Sequence, residues 1–541
     1  MARKAAAGDG AGDDPGRAPA KASAKASGKA AGKTAGKAPA KARSKRGAGA
    51  SKAPPQDLGR RWTMLALAVI VGVALVRLVV NWLDWVPVHF DEGQYWGYGR
   101  EMAFGHFSKP PLVGWVLYLS TEILGHHLFA LRLPSVLAHA GIAWLLFLTG
   151  RRLFDAPTGF WAAVAYTAAP GVTASAMIAS TDPIMMLCWA LALWAHVRAA
   201  EEGDARWFAL MGMAIGLGCL AKYTMIAFAG GAVAYGWFSA RERDWKGFGL
   251  AALLGLVVFA PNLFWNAANG FATFGHVAED AAAGQGAAFR PDKFAEFAGS
   301  QFGVIGPVIL AGIFLALWRW RRWRGDWRMR LLAWQTFPLL LGMLALALTT
   351  RAHPNWAAPA YVAGSLMAAH WILGLGWRRA LAVQATVGAV AAVLLYAAAG
   401  LYGERAADLP RWADPFKKMR LAEPFCEPAL AMMGEAGADA FLTDDRRRMA
   451  ECMFLGSLPP GEFAVWDPDG VPENHYELVA GLRPGDDRRF LLALLGSGRG
   501  EAFAGYFEEA ELLDEGAFAT HADRSFGYEL WLVEGFLGYG E

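Results

Sequence analysis

Between Trp62 and Leu401 the chain returns again and again to apolar stretches of about 15–22 residues. They lie near 62–83, 131–150, 158–174, 183–198, 206–221, 224–240, 247–264, 302–318, 331–349, 356–375 and 380–401. A helix needs roughly 20 residues to cross the hydrocarbon core of a bilayer. The repetition therefore predicts a polytopic α-helical membrane protein with about eleven transmembrane helices. Composition agrees, since 55% of the residues are hydrophobic and 18% charged, too apolar for a soluble chain of 541 residues. Many of the 24 tryptophans flank the runs, where an amphipathic indole suits the headgroup level.

The net charge of +3 conceals an asymmetry. Residues 1–60 form an Ala/Lys/Gly tract with too little apolar content to order itself, so a disordered cytoplasmic tail is expected. Its lysines suit anionic lipid headgroups better than nucleic acid. The run at Trp62 is long enough to span and reads as an uncleaved first helix. With the tail inside, the arginine-rich connections fall on the same side: Arg151–Arg152, Arg198 and Arg206, Arg241, Arg243 and Lys246, Arg319–Arg330, and Arg378–Arg379. That is the positive-inside pattern. The opposite, periplasmic side of the 61–401 membrane domain receives the loop 84–130, and an odd span count places residues 402–541 there as well. This last region mixes short apolar runs such as Phe490–Leu495 with helical patterns such as Arg446–Leu455, as a small α/β domain does. Cys426 and Cys452 lie in it, and an oxidising compartment would permit them a disulfide; Cys188 and Cys219 sit in apolar runs as packing residues.

The first outer loop carries His89-Phe90-Asp91-Glu92-Gly93-Gln94-Tyr95-Trp96 and then Ser108-Lys109-Pro110-Pro111-Leu112. Charge this close to lipid tends to mark a site. The plainer alternative is that Asp91 caps a helix over 92–104, with Glu92 in its first turn. Arg132-Leu133-Pro134-Ser135 opens the second apolar run, and Thr181-Asp182-Pro183 a later one. Lys222-Tyr223-Thr224, Trp265-Asn266 with Asn269 and His276, and His353-Pro354-Asn355-Trp356 follow on the same side.

In this order and spacing the set resembles the GT-C superfamily, in particular the bacterial aminoarabinose transferases and the protein O-mannosyltransferases. The resemblance runs from about 60 to 400, with a weaker echo at Asp444–Leu455. It departs at two positions: aminoarabinose transferases tend to carry Arg where this chain has Gln94, and Glu where it has Ser108. The resemblance implies a GT-C fold and transfer of a sugar from a polyprenyl phosphate to an envelope acceptor such as lipid A, another glycan, a lipid or a protein, usually with inversion.

The residue types suit that chemistry. An inverting displacement needs a carboxylate to accept the acceptor's proton or to orient it, which selects Asp91, with Glu92 as its partner. The departing lipid phosphate needs positive charge, which selects Lys109, helped by Arg132 and Lys222. Tyr95, Asp182, His276 and His353 are assigned to acceptor binding. Several of these have an ordinary alternative: Arg132 and Lys222 snorkelling toward headgroups, Asp182 opening a helix, the histidines packing. Asp91 and Asp182 sharing a divalent ion is the one cofactor reading admitted, and no Cys/His spacing defines a metal site. A flippase of lipid-linked sugars is the rival function. Transporters bind near the midplane, whereas here the ionisable groups gather at one rim.

Overall fold

A computed structural model describes residues 56–239, 244–275 and 289–539. Each of the eleven apolar runs coincides with helix, but the runs are not all full spans. Among the described residues six helices are long and apolar enough to cross a membrane: Gly59–Trp82, Leu128–Leu153, Thr181–Glu202, Trp245–Ala268, Trp327–Leu346 and Arg378–Asp408. A seventh candidate is the pair Pro291–Val304 and Pro307–Trp318, bent by 115°. At that break Gly306 takes φ 90°, and Gln384 occupies the space a Cβ would need. The remaining runs are shortened by local chemistry. Pro170 lacks an amide donor and restarts the chain as a second short helix, so 158–174 becomes Ala156–Thr167 and Pro170–Ser175. Lys222 is extended at φ −161°, which ends Ala205–Ala221 and leaves Ile226–Phe238 as a separate segment. The expectation of about eleven helices thus stands as a coarse statement, a polytopic helical bundle.

Leu128–Leu153 and Thr181–Glu202 are the central spans, 56% and 61% buried, whereas Gly59–Trp82 and Arg378–Asp408 are peripheral at 22% and 17%. Small residues let neighbours close up. A Cβ on Gly212 would lie 2.2 Å from the Ala251 carbonyl oxygen, so Ala205–Ala221 approaches Trp245–Ala268 at backbone distance.

Beyond the last long helix lies a five-stranded sheet of β1 (Ala440–Thr443), β2 (Phe463–Val465), β3 (Phe490–Leu495), β4 (Phe507–His521) and β5 (Arg524–Phe536), in the order β2-β1-β3-β5-β4. β1 is parallel to β2 and β3, and β5 is antiparallel to β3 and β4. Burial on both faces explains why β3 reads as an unbroken apolar run. Cys426 and Cys452 form a disulfide joining helices Ala422–Glu435 and Arg446–Leu455. The sheet region packs onto the first loop: Arg420 donates to the Trp85 carbonyl (2.7 Å), and His126 Nε2 meets the Phe454 carbonyl (2.7 Å).

Candidate functional site

The acidic pair sits on helix Phe90–Glu101, but its cap is His89 rather than Asp91. His89 Nδ1 accepts from the Asp91 amide (3.2 Å), and Glu92 Oε2 accepts from the His89 amide (2.9 Å), a reciprocal capping box. The carboxylate of Asp91 is released from that task. Its side chain is 41% exposed, His89 Nδ1 lies 3.6 Å away, and it accepts no hydrogen bond among the described residues.

Glu92 is its opposite. Its side chain is wholly buried and receives Arg132 Nε at 2.9 Å and Nη2 at 2.8 Å, with the Ala179 amide at 2.6 Å. Arg132 spends its other donors on the carbonyls of Val86 (2.8 Å) and Pro87 (2.9 Å). The pair ties the loop to helix Leu128–Leu153 and to the turn that precedes helix Thr181–Glu202. Neither group faces an open space, and a donor phosphate could take Arg132 only by breaking this lock.

Lys109 is half-buried on a loop held from two sides and closed on itself. Asn262 donates to the Phe104 carbonyl (2.8 Å), Thr273 to the His106 carbonyl (2.7 Å), and the His106 amide to the Lys109 carbonyl (3.1 Å). Behind it the Tyr98 hydroxyl hydrogen-bonds to both Gln94 and Ser108. The two positions that depart from the aminoarabinose transferases are therefore one connected neutral chain. Tyr95 is buried beside Tyr98, and burial followed by the charge of Asp91 holds its hydroxyl well above the usual range.

Asp182 and Lys222 meet. Lys222 Nζ is 2.7 Å from Asp182 Oδ1, and Asn355 donates to Asp182 Oδ2 at 2.6 Å. This trio joins the ends of three helical segments, and Asp182 and Asn355 line a cavity of ≈ 320 Å³ with Tyr166, Ser175 and Tyr361. Asp182 is thus committed to a cation of the chain itself. His353 is exposed, on the turn that carries Asn355, 5.3 Å from the Trp356 ring. His276 lies outside the described residues.

Sequence reasoning missed a third cluster. Glu101 ends the acidic helix, and its Oε1 is 2.7 Å from His475 Nε2 while its Oε2 is 3.6 Å from His106 Nδ1. One ligand atom of each residue lies within 4.8 Å of the others. His106 is fully buried, neither ring nitrogen has a hydrogen-bond partner among the described residues, and burial lowers its pKa to about 4. Burial raises the Glu101 carboxyl, but the two histidines outweigh it and hold the group down at about 2. The cluster spans 374 residues of chain, so no local spacing announced it.

The fold brings Glu92 to Arg132 and Asp182 to Lys222 and Asn355, and comparison with known proteins gives the chain a family. A family model described as dolichyl-phosphate-mannose-protein mannosyltransferase matches residues 108–265. Lipid A galacturonosyltransferase RgtD of Rhizobium johnstonii is 30% identical over 415 residues, 76% of this chain and 86% of that protein. The undecaprenyl phosphate-alpha-4-amino-4-deoxy-L-arabinose arabinosyl transferase of Pseudomonas aeruginosa is 29% identical over 224 residues, 38% of this chain and 40% of that one. Crystal structures of ArnT from Cupriavidus metallidurans, apo and bound to undecaprenyl phosphate, superpose with TM-scores of 0.61 and 0.58 at 15% identity, covering 87% of this chain and 98% of theirs. With a match to RgtD over most of both chains and the fold of ArnT, this multi-pass inner-membrane protein belongs to the family of bacterial lipid A glycosyltransferases.

Proposed function

We propose that the chain transfers a sugar from a polyprenyl-phosphate donor to lipid A or a related envelope glycolipid, at the periplasmic face of the inner membrane. The names of its relatives support both substrates. One observation carries the residue assignment: of the two loop carboxylates, Glu92 is fully engaged, while Asp91 is exposed and accepts no hydrogen bond among the described residues. In this reading the acceptor oxygen bonds to the anomeric carbon, and its proton passes to Asp91. The bond from that carbon to the donor phosphate breaks, and its electron pair leaves on the phosphate oxygen. Lys109 meets the charge that develops there, and Lys222, held by Asp182, adds to the positive potential. Glu92 and Arg132 position the loop. Tyr95 and His353 contact the acceptor in this scheme, and His276 is kept in that role on sequence grounds alone.

The proposed topology has about eleven crossings, the tail of residues 1–60 in the cytoplasm, and the region 402–541 in the periplasm. The Cys426–Cys452 disulfide supports that side, since such bonds persist in oxidising compartments. A divalent ion finds a better ligand set at Glu101, His106 and His475 than between Asp91 and Asp182. Two imidazoles and a carboxylate suit a zinc-like ion.

Asp91→Asn is expected to lower transfer at least about a hundredfold with an unchanged melting temperature, the range for losing an acid–base group. Lys109→Ala is expected to weaken binding of a polyprenyl phosphate without sugar, with Lys109→Arg recovering part of the loss. Retained transfer in the first variant, or equal affinity in the second pair, would overturn these roles.

A further inference from the structure

The segment Asp444-Asp445-Arg446-Arg447-Arg448 concentrates five charges where the sheet region meets the acidic helix. Four of them have structural work. Asp444 pairs with Arg499, Asp445 caps helix Arg446–Leu455 through the Arg447 amide (2.8 Å), Arg447 lies over the Phe90 ring (5.6 Å), and Arg448 is buried against Glu451. Arg446 differs. It is half-buried, and among the described residues no acid lies within ion-pair distance and no hydrogen bond is made.

Packing fixes where it stands. A Cβ on Gly93 would lie 2.2 Å from the Ala450 carbonyl oxygen, and one on Gly97 would lie 2.3 Å from the Met453 methyl. The two helices therefore run side by side at backbone distance with the same polarity. Arg447 over Phe90 extends that register to the first turn of the acidic helix, which holds Asp91. The buried tyrosines Tyr95, Tyr98 and Tyr476 each lie in the fields of both Asp91 and Arg446. A half-buried guanidinium that meets no carboxylate among the described residues keeps its donors for an anion, and charge-assisted hydrogen bonds to one are strong.

We propose that Arg446, delivered by the C-terminal region, binds an anionic substituent of a substrate away from the bond being broken: the carboxylate of a transferred hexuronate or a phosphate of the glycolipid acceptor. Both present paired oxygens to the guanidinium fork. The inference rests on the glycosyl-transfer reading above and adds a specificity-determining residue to it.

The test measures KM and kcat of the full-length enzyme, Arg446→Gln, Arg446→Lys and Arg447→Gln. Donors are a polyprenyl-phosphate hexuronate and the matching hexose, and acceptors are lipid A with and without its phosphates. Arg446→Gln is expected to raise KM roughly ten- to a hundredfold only for the substrate that carries the recognised anion, as for a lost charge-assisted hydrogen bond. Arg446→Lys should fall between, and Arg447→Gln should match wild type. A hexuronate-only effect assigns the carboxylate, and a phosphorylated-acceptor-only effect assigns the phosphate. Unchanged kinetics in both Arg446 variants, or an equal change with every substrate pair, overturns the proposal. If Arg446→Gln does not fold, Arg446→Lys decides by the same selectivity. A wild-type enzyme that transfers from no polyprenyl phosphate would instead sink the glycosyl-transfer reading itself.

Discussion

The two ends of the helical bundle use charge in different ways. At the arginine-rich end, Arg152 bridges Glu201 (2.6 Å) and Glu202 (2.9 Å), and Glu202 also takes Arg198 and Arg206. Two of the arginines stand in solvent, Arg152 at 40% and Arg206 at 66% exposure, and the rest of the network is half-buried. At the motif end, the side chains of Glu92 and Arg132 are only 0% and 1% exposed and are bound to each other and to backbone groups. There a carboxylate, Asp91, stands open beside buried tyrosines. Charge at the first end suits topology, where number and side matter and partners do not. Charge at the second end is positional: Glu92 and Arg132 hold fixed partners, while Asp91 accepts no hydrogen bond among the described residues.

The sharpest test of this contrast is Glu92→Ala. It strands the Arg132 guanidinium in the interior, and breaking a buried pair from one side costs about 3–5 kcal/mol. Unfolding in detergent should show that loss, with transfer falling in proportion to folded protein. A Glu92→Ala enzyme of normal stability and no activity would return Glu92 to the catalytic group and erase its difference from Asp91.

The disulfide should come next. Cys426 and Cys452 are 26 residues apart, and removing a bond that closes a loop of that size costs about 2–4 kcal/mol. The double Cys→Ser variant should melt earlier and transfer more slowly, because helix Arg446–Leu455 seats the acidic helix at Gly93. A smaller shift is expected from chelation. If Glu101, His106 and His475 hold an ion, metal analysis of the purified protein should find about one equivalent, and a chelator should lower the melting temperature. His106→Ala should abolish both effects, and a metal-free protein indifferent to chelators would remove the ion from the account.

The legibility of the sequence divides along the same line. Helical character, the arginine asymmetry and the order of the motifs were readable because each is local or periodic. Span lengths were not, because an apolar run reports an apolar environment and not where Pro170 or Lys222 interrupts the helix. The motif residues stand out in the sequence as an ordered set, but the contacts that distinguish them were hidden. Adjacent Asp91 and Glu92 look alike in sequence, and only the arrival of Arg132 and the Ala179 amide separates them. His89 as the cap, the Gln94–Tyr98–Ser108 chain and the Glu101–His106–His475 cluster depend on contacts across the fold.

The smallest effect is expected at the arginine end, and it tests the comparison from its weaker side. Arg152→Gln removes one cation from an exposed network in which Glu202 keeps Arg198 at 2.8 Å. Exposed pairs lose in side-chain entropy and solvent screening most of what they gain by attraction. The variant should therefore melt with wild type, transfer sugar at the wild-type rate, and retain its orientation because the other arginines of that side remain. Raising the salt concentration should erase any residual shift, since screening acts on exposed charges first. The same salt series should leave the stability lost in Glu92→Ala unchanged, because the Arg132 charge it strands is out of reach of the solvent. If Arg152→Gln instead lowered activity or stability as much as Glu92→Ala does, the arginine end would be positional too, and the division between the two ends would fail.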